Sequence, residues 1–245
     1  MFKFRFWSML LVLALVSACN FTEEIYLNDD GSGKISINFD GSEMMDMAGE
    51  EMMKSGEKAI DSVISFKSFL EEKKDSIATL SEKEQARLKK LEPFSMHMLM
   101  NPETKVMKFD MYSDFKHVEE VGDAFNTFQD ASSIGPGGKN QASPGGISNQ
   151  STEVNYSFKA NTFKRTAKII DTVLQKKGLD SLAGAEMFLS SSMYKLKYHF
   201  PRRVKSSSTE AATFSADGKT LFYEVSFLSY MKNPDTLNIE VELED

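Results

Sequence analysis

Past residue 19 the chain divides into stretches whose apolar residues recur at every second position and stretches where they recur at every third or fourth. Ile35, Ile37 and Phe39 alternate with Lys34, Ser36 and Asn38, which predicts a strand with one buried and one wet face. Glu23 to Leu27 precedes it, and Asn28-Asp29-Asp30-Gly31-Ser32-Gly33 lies between them, so the two runs read as a β-hairpin. A calcium loop is the competing reading of that turn. With Gly33 in the glycine position of such a loop, Phe39 would fall where the bidentate glutamate belongs, and the turn reading wins. From Phe94 the period is again two: Phe94, Met96, Met98 and Met100 against Ser95, His97 and Leu99, with a turn at Asn101 to Thr104 and a return strand from Lys105 to Phe115.

Between these strands the spacing is helical. Ser42 to Ser55 carries Met44, Met45, Met47, Met52 and Met53 among Glu43, Asp46, Glu50, Glu51 and Lys54, an amphipathic helix interrupted at Gly49. A second helical tract spans Ile60 to Glu72. Ser81 and Glu84 form the Ser-x-x-Glu capping box of a charged helix that runs to Leu91. Val118, Val121, Phe125 and Phe128 mark a further amphipathic helix.

Residues 131–152 are rich in Gly, Pro, Ser, Asn and Gln, too polar and flexible a composition to pack. They form either a boundary between two lobes, 19–130 and 153–245, or a long loop inserted in one domain. Beyond them Glu153 to Phe158 reads as a strand, and Lys164 to Lys177 and Ser181 to Ser191 as helices broken at Gly178. Met193 to Phe200 alternates as a strand and stops at Pro201. Ala211 to Phe214 and Thr220 to Phe227 pair across Ala216-Asp217-Gly218-Lys219, and Leu237, Ile239, Val241 and Leu243 alternate with acids in a last strand. The expected fold class is α+β: antiparallel hairpins and sheet with amphipathic helices packed on one side.

The first 18 residues follow a different grammar. Lys3 and Arg5 precede an apolar run from Trp7 to Ala18, shorter than the roughly 20 residues of a membrane span. Val16-Ser17-Ala18-Cys19 resembles the lipobox of bacterial lipoproteins, in which the leader is cut before the cysteine and the cysteine is acylated with chains such as palmitate. That resemblance implies a signal peptide over 1–18, lipidation of Cys19 and a permanent membrane anchor, since each buried methylene contributes about 0.8 kcal/mol. Asn20 stands where an aspartate would retain such a protein at the inner membrane, which permits the outer membrane. Glu23 and Glu24 resemble the acidic segment that directs some lipoproteins to the cell surface.

Losing Lys3 and Arg5 moves the formal charge from −7 to −9, an acidic body that argues against nucleic acid as a partner. With the single cysteine committed to lipid there is no disulfide, catalytic thiol or cysteine metal ligand. His97, His117 and His199 show no ligand-pair spacing, Gly-x-Ser-x-Gly is absent, and neither a Walker A sequence nor a dinucleotide fingerprint is present, so no cofactor is implied. Of the 15 methionines, 13 remain once Met1 and Met9 go with the leader, and thioethers can bind Cu(I). Met96, Met98 and Met100 share one strand face while His97 points from the other, which favours an adaptable apolar surface or core over a copper site. Glu50-Glu51, Glu71-Glu72 and Glu119-Glu120 read as solvated helix faces. Lys164-Arg165-Lys168 and Arg202-Arg203-Lys205 read as basic islands that meet phosphate headgroups or neighbouring acids.

Tyr26 to Gly33 close to the cysteine, with Phe200-Pro201-Arg202-Arg203-Val204 and Ser215-Ala216-Asp217-Gly218-Lys219-Thr220-Leu221, resembles uncharacterised bacterial envelope lipoproteins and, among named families, the LppM-type lipoprotein domain. The resemblance implies an α+β body and a role in binding lipid-like molecules. The expectation is a non-enzymatic, lipid-anchored envelope protein that binds a hydrophobic ligand or a partner protein, with Met44, Met45, Met52, Met53, Phe125 and Phe128 as the candidate apolar binding residues. An envelope hydrolase built on carboxylates is the alternative.

Overall fold

A computed structural model describes residues 20–43, 45, 58–132, 151–183 and 186–245. Cys19, Met44, Met52, Met53 and most of the 131–152 stretch lie outside the described residues. The fold is α+β, with strands in two sheets. No helix among the described residues is long and apolar enough to cross a membrane.

The first hairpin forms as its alternation predicts: β1 (Asn20–Leu27) pairs antiparallel with β2 (Gly33–Asp40). The Met-rich hairpin also forms, from β4 (Ser95–Asn101) and β5 (Val106–Phe115), and β5 pairs with β2. On the outer side of β4 lies β3 (Ile60–Ser65). This corrects the expected helix over Ile60 to Glu72: only α1 (Phe66–Glu72) is helical, capped by the Ser65 hydroxyl. Ile60 and Ile64 satisfy both a helical and an alternating reading, and pairing with β4 decides for the strand. Two charged helices follow, α2 (Lys74–Ile77) and α3 (Glu82–Lys89), the second opened by the Ser81–Glu84 capping box. The expected helix from Val118 to Phe128 is interrupted. Val118–Glu120 makes a 3₁₀ turn, Gly122 takes φ +60°, and α4 (Ala124–Ser132) starts afresh at Asp123.

The second half contributes β6 (Thr152–Lys159) and β7 (Thr162–Ile169), joined through Ala160 and Asn161, both at positive φ as a tight hairpin turn requires. β7 overturns the helix expected from Lys164. Phe163, Arg165 and Ala167 point inward in strict alternation, and a charged residue in a core-facing position had disguised the period. The helix that does form, α5 (Thr172–Leu182), is capped by Asp171 and carries Gly178 within it rather than breaking there. Of the helix expected over Ser181 to Ser191, Ser181 and Leu182 close α5, and Glu186–Leu189 form α6. Then come β8 (Met193–His199), β9 (Val204–Ser207), the short β10 (Thr213–Phe214), β11 (Thr220–Ser226), α7 (Phe227–Lys232) and β12 (Ile239–Leu243). Leu237, expected in the last strand, closes a 3₁₀ turn before it.

The larger sheet runs β10-β11-β8-β1-β2-β5-β4-β3 and the smaller one β6-β7-β12-β9. All pairs are antiparallel except β1 with β8, which run parallel over seven residues from Asn20↔Met193 to Tyr26↔His199. Strands from both sides of the 131–152 stretch therefore share the larger sheet. Its inner face supplies Phe21, Ile25, Ile37, Met111, Tyr198 and Leu221 to one buried core, covered by the smaller sheet and by α4 and α7. Its outer face carries the polar half of each alternation: Thr22, Glu24, Asn38, Lys195 and Lys197.

Candidate functional site

Alternation along β1 places Glu23 between Phe21 and Ile25 on the inner face, and alternation along β7 places Arg165 between Phe163 and Ala167. Both side chains are buried, each with 1% of its surface exposed. They meet across the gap between the sheets in a bidentate pair: Arg165 Nε donates to Glu23 Oε1 at 3.1 Å and Nη2 to Oε2 at 3.2 Å, while Nη1 donates to the Leu237 carbonyl at 3.3 Å. Three phenols complete the shell of the carboxylate. Tyr156 donates to Oε1 at 2.7 Å, Tyr194 to Oε2 at 2.9 Å, and Tyr198 to Oε1. Tyr194 and Tyr198 reach it because they flank Leu196, the residue opposite Glu23 on β8. Tyr156 reaches it because it is the β6 partner of Arg165.

The chemistry of this cluster is that of a saturated ion pair. Burial opposes the charge of Glu23, but the Arg165 guanidinium and the hydrogen bonds from Arg165, Tyr198 and Tyr156 outweigh it and hold the carboxyl below its ordinary range. Burial likewise opposes the charge on Arg165, and Glu23 overcomes it, keeping the guanidinium protonated. Burial and the Glu23 charge push the phenols of Tyr156, Tyr194 and Tyr198 up, so they remain donors. Every group is thus fixed in the protonation state it has at neutral pH. Desolvating two charges costs several kcal/mol per ion, so the full set of hydrogen bonds is what makes the burial tolerable.

A second polar cluster sits at the start of α4. Asp123 accepts hydrogen bonds from the Asn126 backbone at 3.0 Å, the Asn126 side chain at 2.8 Å and Thr152 Oγ1 at 3.1 Å, linking α4 to β6. Burial pushes its carboxyl up to about 6.

The reading of Arg165 as part of an exposed basic island is corrected, and Glu23, read from the sequence only as one of two adjacent acids, is buried as well. The signal was present: opposite charges occupy the apolar phase of two alternating strands. The rest of the basic islands is paired with local acids, Lys164 with Glu240 at 2.9 Å, Lys168 with Glu153 at 2.8 Å, Arg202 with Asp29 at 2.8 Å and Lys205 with Glu242 at 2.7 Å. Of the candidate apolar binding residues, Met45, Phe125 and Phe128 are buried. Phe125 packs against Phe21, Tyr194 and Tyr230 at ring separations of 5.2, 5.3 and 5.6 Å, so it fills the core rather than lining a surface. Met96 and Met98 point into the core, and His97 turns to the opposite face, where it meets Asp61 at 2.7 Å. Among the described residues no three His, Cys, Asp or Glu side chains are placed to hold a metal.

Open surface is found elsewhere. A groove of about 710 Å³ between α1, α2 and α3 has Leu70, Ile77, Ala78 and Leu88 among its lining and Lys67 and Lys89 along it. A second, of about 570 Å³, lies on the outer face of the larger sheet.

Glu23→Gln and Arg165→Met should each destabilise the protein by about 3–5 kcal/mol in urea titrations, because each leaves one partner buried and unpaired. The double substitution should cost clearly less than the sum, and additive losses would show that the two side chains are not coupled. Asp123 titrates with the opposite sign to a paired carboxylate. Its folded value near 6 exceeds the ordinary 3.8, so its contribution favours folding at low pH and fades as the pH rises through 6. The urea midpoint should therefore fall between pH 5 and pH 7, and Asp123→Asn should flatten that fall. No protein-family model matches the chain, and no curated protein or solved structure is found to be similar to it.

Proposed function

We propose that the chain is a lipid-anchored cell-envelope protein with a non-enzymatic binding role, tethered through Cys19 to the outer membrane. The observation that carries this reading is the position of Asn20. The residue after the candidate lipidated cysteine is already the first residue of β1, in register with Asp40 on one side and Met193 on the other. An anchor there has no spacer, and the body is held against the bilayer by its central strand. The buried ion pair of Glu23 and Arg165 is spent on joining the two sheets, which leaves binding to the surface. The groove among α1, α2 and α3 suits a hydrophobic ligand or the apolar side of a partner helix, with aliphatic side chains below and lysine stems along it.

Metabolic labelling with an alkynyl palmitate analogue in a bacterial host should mark the wild-type chain, and Cys19→Ala should abolish the label and move the protein from the membrane pellet to the soluble fraction. Unchanged pelleting of the variant would overturn the anchor. The groove should enhance the fluorescence of N-phenyl-1-naphthylamine, and Ala86→Trp, which fills it, should weaken that binding at least tenfold. A wild-type protein that leaves the dye dark would overturn the groove assignment.

A further inference from the structure

The outer face of the larger sheet carries a second surface whose chemistry is different. Alternation on β1, β8 and β11 points Glu24, Lys197 and Phe222 outward in one cross-strand row, since Glu24 is opposite Lys197 and Lys197 opposite Phe222. The neighbouring row is Thr22, Lys195 and Glu224 by the same pairings. Together they floor the groove of about 570 Å³, and Ala211 and Thr213 wall it on the β10 side. The approach to that wall is pinned to the smaller sheet, because Ser208 N donates to the Glu240 carbonyl at 2.9 Å and Glu240 N to Ser208 Oγ at 2.9 Å.

The floor selects among ligands. Its lysines are matched by carboxylates, Lys197 with Glu24 at 2.9 Å and Lys195 with Glu224 at 3.8 Å, so it offers no net positive charge to a phosphate or to a nucleic acid. Ionised groups on both rows make it a poor seat for an acyl chain. Glu24 is fixed further by His199, which Tyr26 stacks upon at a ring separation of 4.0 Å and an angle of 7°. What remains is a dense array of charged donors and acceptors beside the ring of Phe222, 39% exposed, with Tyr26 on the same face donating to Glu24 Oε1 at 2.9 Å. A sugar ring presents the complementary surface. Its C–H face lies on an aromatic ring, and its vicinal hydroxyls each donate to a carboxylate and accept from an ammonium, the stronger charge-assisted class of hydrogen bond.

We propose that this outer-face groove binds a carbohydrate chain, with Phe222 as the stacking platform and the Glu24–Lys197 and Lys195–Glu224 pairs reading its hydroxyls. The site goes beyond the anchored binding role above and does not depend on it, since none of its residues belongs to the anchor or to the groove among the helices. The groove volume lies within the range of small-molecule sites, roughly 300–1,000 Å³, and accommodates two or three sugar rings.

The test is the purified full chain on a microarray of bacterial polysaccharides, peptidoglycan fragments and plain oligosaccharides. At least one carbohydrate class should retain it. Phe222→Ala, which removes the platform, and Thr213→Trp, which fills the groove from an exposed wall position, should each weaken that retention at least tenfold, with near-ultraviolet circular dichroism checking the fold. Ala86→Trp should leave it unchanged. Retention of no carbohydrate, or retention that neither groove variant weakens, would overturn the proposal whether or not Cys19 is lipidated.

Discussion

The ion pair between Glu23 and Arg165 is the interaction on which the arrangement of the two sheets depends. Each charge is carried by a strand with neighbours on both sides, β1 between β8 and β2, and β7 between β6 and β12. Apolar contact between sheets tolerates sliding, because one methyl group substitutes for another at small energetic difference. A bidentate carboxylate–guanidinium pair with three phenols aimed at the same carboxylate does not. Any shift of one sheet against the other by a residue would leave two charges in the core without partners, a penalty comparable with much of the net stability of a domain. The pair thus sets the register between sheets, while the aromatic contacts around it, Phe163 with Tyr198 at 5.2 Å and with Phe200 at 5.5 Å, provide the area.

How much of this was legible in the chain follows from the range of each interaction. The β1–β2 and β4–β5 hairpins, the β10–β11 turn and the α3 capping box are local, written in turn residues and alternation, and they form where those signals stand. Asp171 caps α5 by an equally local signal, yet the element before it was misread because Arg165 and the flanking lysines resemble an exposed helix face. The parallel pairing of β1 with β8 joins residues more than 170 positions apart, and nothing local in either strand announces it. The candidate surfaces were harder still. A row such as Glu24, Lys197 and Phe222 exists only once three distant strands are in register, whereas Met45, Met96, Met98, Phe125 and Phe128, which stood out by composition, are buried. Excess of one residue type is a poor guide to a surface when the same type packs well inside.

The larger sheet divides its labour by face. Inward it is closed by the smaller sheet and by helices. Outward it stays wet, with its charges matched in pairs and its histidines engaged by acids, His97 by Asp61 and His199 by Glu24. Such an antiparallel-rich sheet remains soluble on one side because alternation separates the two chemistries residue by residue.

One consequence of the strand order concerns mechanics. β1 lies between an antiparallel and a parallel neighbour, paired along eight residues with β2 and seven with β8. Tension entering at residue 19 and directed along β1 would load both ladders in shear, so their hydrogen bonds would have to yield together rather than unzip in turn. Four residues in, the same pull meets Glu23, locked to the opposite sheet. The strand nearest the proposed tether is therefore hard to draw out of the fold, and a body held at a bilayer under drag would keep its structure at the point where the load arrives.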